Sequence, residues 1–235
     1  MWEKLRRSRW FWALGGAVVA VGIAVPASLV VVSRSQSQMP QSREEHQAIV
    51  TEVISSMDRQ SLVGSSPTKG NTEAQVILFK FSDFECPYCA VTAIQMKDFV
   101  EKHEGDILYV YKHFPLTQIH AEAMPAAKAS WAAGQQGQFW LYHYGLFANQ
   151  DRLGDEFYLE LAESMQLDLE QFNRDRHSSE AEAAVQADLE LAQELKLTGT
   201  PSFIMNDLLI PGGAPPQLFE EIFQQINQFL ESQSS

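Results

Sequence analysis

Apolar and polar positions alternate along this chain with several different periods, and each period predicts an element. Trp10 to Ser33 (WFWALGGAVVAVGIAVPASLVVVS) holds no charged residue. Roughly 20 apolar residues span a hydrocarbon core, so this run predicts a membrane-crossing helix over residues 10–33. Ser35 to Gln47 is polar and reads as a tether. Ile49, Val50, Val53, Ile54 and Met57 then recur at helical spacing and predict a short amphipathic helix packed on the domain. GSSPTKGNTE reads as a loop. Ala74 to Phe84 (AQVILFKFSDF) is the pattern of a central buried strand, and from Cys86 onward Ala90, Ile94 and Phe99 follow helical spacing. Asp106 to Phe114 (DILYVYKHF) predicts a second strand, which makes a βαβ unit.

Ala121 to Lys196 predicts several helices with no strand between them. TGTPSFIMND then gives a short strand after a proline, LLIPGG its hairpin partner, and Gln217 to Glu231 a closing amphipathic helix. The order is β-α-β, a helical block, then β-β-α.

Charge refines the ends of this picture. The formal net charge is −13, yet the first 34 residues carry Lys4, Arg6, Arg7, Arg9 and Arg34 against Glu3 alone. The remainder is therefore strongly acidic, which disfavours nucleic acid as a partner and favours a soluble monomer. Basic residues before the apolar run predict a cytoplasmic stub over 1–9, an anchor over 10–33 and an exported remainder. Val25-Pro26-Ala27 offers the alternative of a cleaved signal peptide, but LVVV continues the apolar run past that point. Both readings export the domain, to a periplasm, a lumen or a cell surface.

The two cysteines, Cys86 and Cys89, sit in one CPYC stretch. A zinc site needs about four ligands, and His46, His103, His113, His120, His143 and His177 are scattered. An inert disulfide over so short a loop would constrain little chain. The favoured reading is a redox-active dithiol. Pro87 suits the first helical turn, and a thiolate at Cys86 would meet the unpaired amides and positive end of that helix. Thiolates so placed have pKa values lowered to roughly 3.5–7. Cys89, one turn further in, would be the less exposed, resolving partner. Spacing alone reads Pro201, after Thr200, as a strand-entry proline, a position usually trans.

These residues resemble the DsbA-like thiol–disulfide oxidoreductases of the thioredoxin superfamily. FSDFECPYC is similar to that family's active-site strand and helix start, and YVYKHFPL to the next strand and its exit. GQFWLYHYGLFANQ resembles the aromatic helix of its inserted domain, GTPSFIMND its cis-proline loop, and GGAPPQLFEEI its last strand and helix. The resemblance implies an α/β thioredoxin fold over 64–232 with a helical insertion at about 118–180, preceded by residues 34–63 as linker and short helix. It implies a Cys86–Cys89 redox disulfide with Cys86 as exposed nucleophile and Cys89 as buried resolver. Pro87 and Tyr88 would tune the thiolate. Pro201 would be cis, and Thr200 would offer its backbone to an extended substrate segment.

The implied activity is oxidation of cysteine pairs in exported proteins, without organic cofactor or metal. Reoxidation would fall to a membrane partner of the DsbB or vitamin-K-epoxide-reductase (VKOR) type. The alternatives are an isomerase or reductase, and a peptide-binding chaperone with a merely structural disulfide.

One position departs from the family, which often carries a buried acid where this chain has Lys80. Lys80 either reaches solvent or pairs with an acid such as Asp83, or else its charge favours thiolate at the dithiol. His113 and His120 read as surface or loop residues at the strand exit. Phe139, Trp140, Tyr142, Tyr144 and Phe147 read as insertion core, and Arg152, Arg174 and Arg176 as solvated helix charges.

Overall fold

The computed structural model describes residues 39–233. They belong to the compact unit Met39–Ser235. The stub and anchor expected over residues 1–33 lie outside the described residues, among which no helix is long and apolar enough to cross a membrane.

A five-stranded sheet organises the fold. Its strands are β1 (Thr68–Gly70), β2 (Val76–Ser82), β3 (Ile107–His113), β4 (Ser202–Met205) and β5 (Leu208–Ile210). They lie in the order β1-β3-β2-β4-β5. β2 and β3 run parallel, with Lys80 opposite Tyr111 and Ser82 opposite His113, while the other pairings are antiparallel. Both central strands are covered on both faces, which is why they read as nearly continuous apolar runs.

Around the sheet stand α1 (Arg43–Ser56), α2 (Arg59–Val63), α3 (Pro87–Lys102), α4 (Ala123–Gly134), α5 (Phe139–Ala148), α6 (Asp155–Ser164), α7 (Leu169–Arg176), α8 (Ser179–Glu194) and α9 (Pro216–Gln233). α3 is the crossover between β2 and β3, and α4 to α8 lie between β3 and β4. α9 closes one layer by packing Phe219 and Phe223 with Phe99, Val76 and Phe203. Fully buried alanines of α4, among them Ala126, Ala129 and Ala132, allow the tyrosines of α5 and α6 to pack closely in a second cluster that also holds Cys86 and Cys89. On the far side α8 is tied to β3 by the buried Lys112–Asp188 ion pair at 3.0 Å. Asp188 also accepts from the Ser66 hydroxyl and the His113 backbone N–H.

Three expectations are corrected. The polar tether ends sooner than expected, because α1 begins at Arg43 with the Ser42 hydroxyl accepting from the Glu45 N–H as its cap. Polar residues at its start are engaged: His46 Nε2 bonds the Leu195 carbonyl and Gln47 bonds Asp207 and Leu209. The GSSPTKGNTE stretch is not all loop, since Thr68–Gly70 pairs with β3. A strand of three residues is too short to show a period, and a Cβ on Gly70 would meet the Ile107 carbonyl oxygen at 2.2 Å. Arg176 is buried rather than solvated, donating to Asp155 at 2.7 Å and Asn173 at 3.0 Å. Its partner lies on α6, where helical spacing along α7 could not reveal it. Arg152 and Arg174 are exposed.

The turn after β5 is pressed against the start of β4. A Cβ on Gly212 would lie 2.0 Å from the Pro201 carbonyl oxygen, whereas one on Gly213 meets nothing within 4 Å. Gly212→Ala is therefore expected to cost about 2 kcal/mol or more in a thermal or denaturant unfolding experiment, with Gly213→Ala within about 0.5 kcal/mol of the parent.

Candidate active site

The site is assembled where three segments meet. β2 ends at Ser82, and the chain turns through Asp83-Phe84-Glu85 into α3. Asp83 is buried and its carboxylate holds the turn, accepting from the backbone N–H of Glu85 and Leu116 and from His120 Nδ1, each at 2.8 Å. Cys86 is then the cap of α3, with extended backbone (φ −76°, ψ 120°) and Pro87 directly behind it. The Cys86 carbonyl accepts the first helical N–H groups, from Cys89 at 3.0 Å and Ala90 at 3.3 Å. Gln150 reinforces the turn by donating to the carbonyls of Phe84 (2.7 Å) and Cys86 (2.9 Å).

The third segment is the loop before β4. Its Thr200–Pro201 peptide is cis. The Cys86 thiol donates to the Thr200 carbonyl at 3.4 Å, so the two segments, 114 residues apart in sequence, meet at the sulfur. The spacing-based expectation of a trans strand-entry proline is corrected: a neighbour so distant in the chain leaves no local signature.

The two sulfurs have opposite electrostatics. Hydrogen bonding from the Cys89 thiol holds Cys86 down to about 5, against the opposing effect of burial. Thr200 and the backbone N–H groups of Cys89 and Tyr88 act in the same sense. The Thr200 hydroxyl is buried with no partner while the neutral thiol uses the carbonyl. Once Cys86 ionises, that hydroxyl can turn and donate to the sulfur. Cys89 is pushed far up, first by burial and then by its bond to Cys86, while the Lys80 charge works the other way. Both cysteines are free thiols in this structure.

Exposure differs from the family-based expectation. Cys89 is 0% exposed, but Cys86 is only 5% exposed, because the Thr200 loop folds across its sulfur. Pro87 is exposed beside it, and Tyr88 is 72% exposed at the rim. Lys80 neither reaches solvent nor pairs with Asp83. It is 0% exposed, its Nζ donates to the Cys89 carbonyl at 3.2 Å, and it lies 5.3 Å from the Phe147 ring centre. Burial lowers it to about 8, with the two cysteines acting in the opposite sense.

His113 departs from the surface-or-loop reading, whereas His120 lies in the loop between β3 and α4 as expected. His113 is buried with both ring nitrogens unpartnered. His120 is held by Asp83; burial lowers its pKa, but its bonds and charge contact with Asp83 prevail and raise it. Sequence reasoning passed over His143, another buried histidine without a partner. Its signal was available: Phe139, His143 and Phe147 recur every fourth residue on one helix face. Phe139, Tyr142 and Phe147 are core residues, while Trp140 and Tyr144 are half-buried. Among the described residues no cluster of three or more His, Cys, Asp or Glu side chains could hold a metal ion.

A CPYC pair opening a helix after a central parallel strand, against a cis-proline loop, defines the thioredoxin-like class of α/β proteins. Residues 62–228 match the family described as Thioredoxin, and the chain belongs to that family. The thiol-disulfide exchange protein alpha-DsbA2 of Wolbachia pipientis superposes with a TM-score of 0.71 at 21% identity, covering 79% of this chain and 100% of its own. A thioredoxin-like oxidoreductase from Silicibacter pomeroyi gives 0.64 at 29% identity, covering 73% and 99%. The catalytic domain of Proteus mirabilis ScsC gives 0.64 at 21%, covering 74% and 97%.

The curated relatives are of another kind. The Na(+)/H(+) antiporter NhaA 1 of Mycolicibacterium vanbaalenii is 39% identical over 143 residues, which are 60% of this chain and 23% of that protein. NhaA 3 of Salinispora tropica is 35% identical over 138 residues, 59% and 21%. The chain thus spans less than a quarter of the length of these relatives.

Two titrations follow from this geometry. Thiolate absorbance of the reduced protein should rise with a midpoint near 5 for Cys86. Thr200→Val should move that midpoint up by about one unit, the scale of one charge-assisted hydrogen bond. Burial holds His113 down from the usual 6.5 to about 4, so the unfolded chain takes up this proton first as pH falls. Stability is therefore expected to decline between about pH 6.5 and 4, and His113→Phe to flatten that decline in denaturant titrations at a series of pH values.

Proposed function

We propose that this chain is a thiol–disulfide oxidoreductase that oxidises cysteine pairs in exported proteins. The observation that carries the reading is the asymmetry of the dithiol. Cys86 is stabilised as thiolate at the head of α3 while Cys89, one turn inside, is strongly held as thiol. A thiolate so stabilised is a good leaving group, which makes the corresponding disulfide a strong oxidant.

The reaction runs from the oxidised pair. A substrate thiolate attacks the Cys86 sulfur, the only one of the two with any exposure, and the electron pair of the broken S–S bond passes to Cys89, which takes up a proton. A second substrate thiolate attacks the substrate sulfur of the mixed disulfide and expels Cys86 as thiolate. The substrate has lost two electrons and the dithiol has gained them. The extended substrate segment docks along the backbone at Thr200, next to Pro201, as an added strand. Pro87 and Tyr88 shape the rim, and the buried Lys80 ammonium favours thiolate over thiol at both sulfurs.

Residues 10–33 tether the enzyme as a single-pass anchor, with the stub cytoplasmic and the catalytic domain outside. An exported compartment is oxidising, in keeping with disulfide formation. The curated relatives support a membrane setting, since an antiporter works across a membrane and the matched part is a fraction of such a protein. Electrons leave to a membrane reoxidase of the DsbB or VKOR type. No organic cofactor or metal takes part, and the acidic monomer does not engage nucleic acid.

Cys86→Ala is expected to abolish oxidative refolding of a reduced, disulfide-containing substrate, and Cys89→Ala to accumulate mixed disulfides at Cys86. Retained activity in Cys86→Ala would leave peptide binding as the function. A reduction potential as low as a reductant's would reverse the proposed direction. Thiol labelling in intact cells reads the topology in the same preparation.

A further inference from the structure

The turn that carries the reactive sulfur is stitched along one side to the loop between β3 and α4. The Asp83 carboxylate accepts from the Leu116 N–H and from His120 Nδ1, each at 2.8 Å. Two residues on, the Glu85 carboxylate accepts from the Glu122 N–H at 2.7 Å. The same stretch of backbone holds the sulfur, since the Cys86 N–H donates to the Asp83 carbonyl at 3.2 Å. His120 therefore stands at the rim of the dithiol, close enough that charge on Cys86 raises its affinity for a proton.

The imidazole is also aimed. The Asp83 side chain is fully buried, whereas 17% of the His120 side chain is open. The buried carboxylate holds Nδ1 in its N–H form, which leaves Nε2 as the nitrogen that gains or loses a proton. An acid that fixes one ring nitrogen so that the other can exchange protons beside a nucleophile is the working principle of nucleophile–histidine–carboxylate sites. The loop reaches the surface here, for Ile119 is 73% exposed.

We propose that His120, aimed by Asp83, is the acid–base group for the substrate's own sulfur at Cys86. The inference rests on the redox reading above and deepens it. In the oxidising direction Nε2 takes the proton of a substrate thiol, the thiolate attacks the Cys86 sulfur, and the electron pair of the S–S bond passes to Cys89. The imidazolium then releases its proton to water before the second substrate thiol reacts. In the reverse direction the imidazolium protonates the substrate thiolate that Cys89 expels from Cys86. Electrons pass only between sulfurs, and the ring handles only protons.

The redox state of the pair biases the ring toward the role each step needs. In the disulfide Cys86 carries no charge, so one of the groups that raise His120 is withdrawn and the ring is the better base. In the reduced protein the Cys86 thiolate restores that pull, and the ring is the better acid. The other charged groups facing it are Asp83 and Glu85 of the turn, which raise it against the opposing effect of burial. Glu122, on the ring's own loop, is engaged by the Tyr158 hydroxyl of α6 at 2.9 Å.

The test uses the full chain in detergent, with reduced glutathione as the probe thiol. A free thiol is only a few per cent ionised at pH 7, so a base at His120 can add at most about thirtyfold there. In His120→Gln, opening of the Cys86–Cys89 disulfide by glutathione should slow about tenfold at pH 7. It should match the parent above about pH 9, where the probe ionises unaided. A glutamine amide can still donate to Asp83, so a role limited to clamping the loop would survive the change. NMR titration of the His120 ring in the parent should give a higher midpoint in the reduced form than in the oxidised form. An unaltered pH profile in folded His120→Gln, or one ring midpoint shared by both redox forms, overturns the inference. A parent disulfide that glutathione does not open overturns the redox reading instead.

Discussion

The hydrogen bond from the Cys89 thiol to the Cys86 sulfur, closed within one turn of α3, is the interaction the site is built to present. Burial of a thiol ordinarily favours its neutral form. At Cys86 that tendency is outweighed, because its neighbour donates to it and because the sulfur lies at the positive end of α3, near the Cys89 and Tyr88 N–H groups. The cost falls on Cys89, which becomes harder to ionise by the same bond. One contact therefore separates two chemically identical groups into a leaving group and a proton-bound partner.

Everything around the pair keeps that contact in place. Asp83 spends its carboxylate on two backbone N–H groups and His120, and Gln150 clasps two carbonyls of the turn. The cis-proline loop covers the sulfur and is itself wedged by Gly212 against the Pro201 carbonyl. These supports come from the helical block, from the exit of β3 and from the end of β5. The domain thus holds its reactive sulfur by segments remote from it in sequence, which explains why so small a motif needs so much chain.

A fully buried lysine is costly unless something nearby uses its charge or its proton. Lys80 has one carbonyl, one aromatic face and two sulfurs around it, and a group of unsatisfied hydroxyls and imidazoles beyond. The interior here is not a closed hydrogen-bond network, in contrast with the Lys112–Asp188 pair on the other face of the sheet.

Much of the architecture was legible from residue order, because strands β2 and β3 and helices α3 and α9 are long enough for their periods to show. The CPYC stretch, with Pro87 suited to a helix start, identified the dithiol for the same reason: helix capping is local. Short or distant pairings escaped. β1 has three residues and no period, Arg176 finds Asp155 across two helices, and the cis state of Pro201 is paired with a sulfur more than a hundred residues away. Burial of Cys86, Lys80, His113 and His143 was decided only when the sheet face, α5 and the Thr200 loop closed over them, since desolvation is a property of the assembled surroundings and not of any residue's neighbours in the chain.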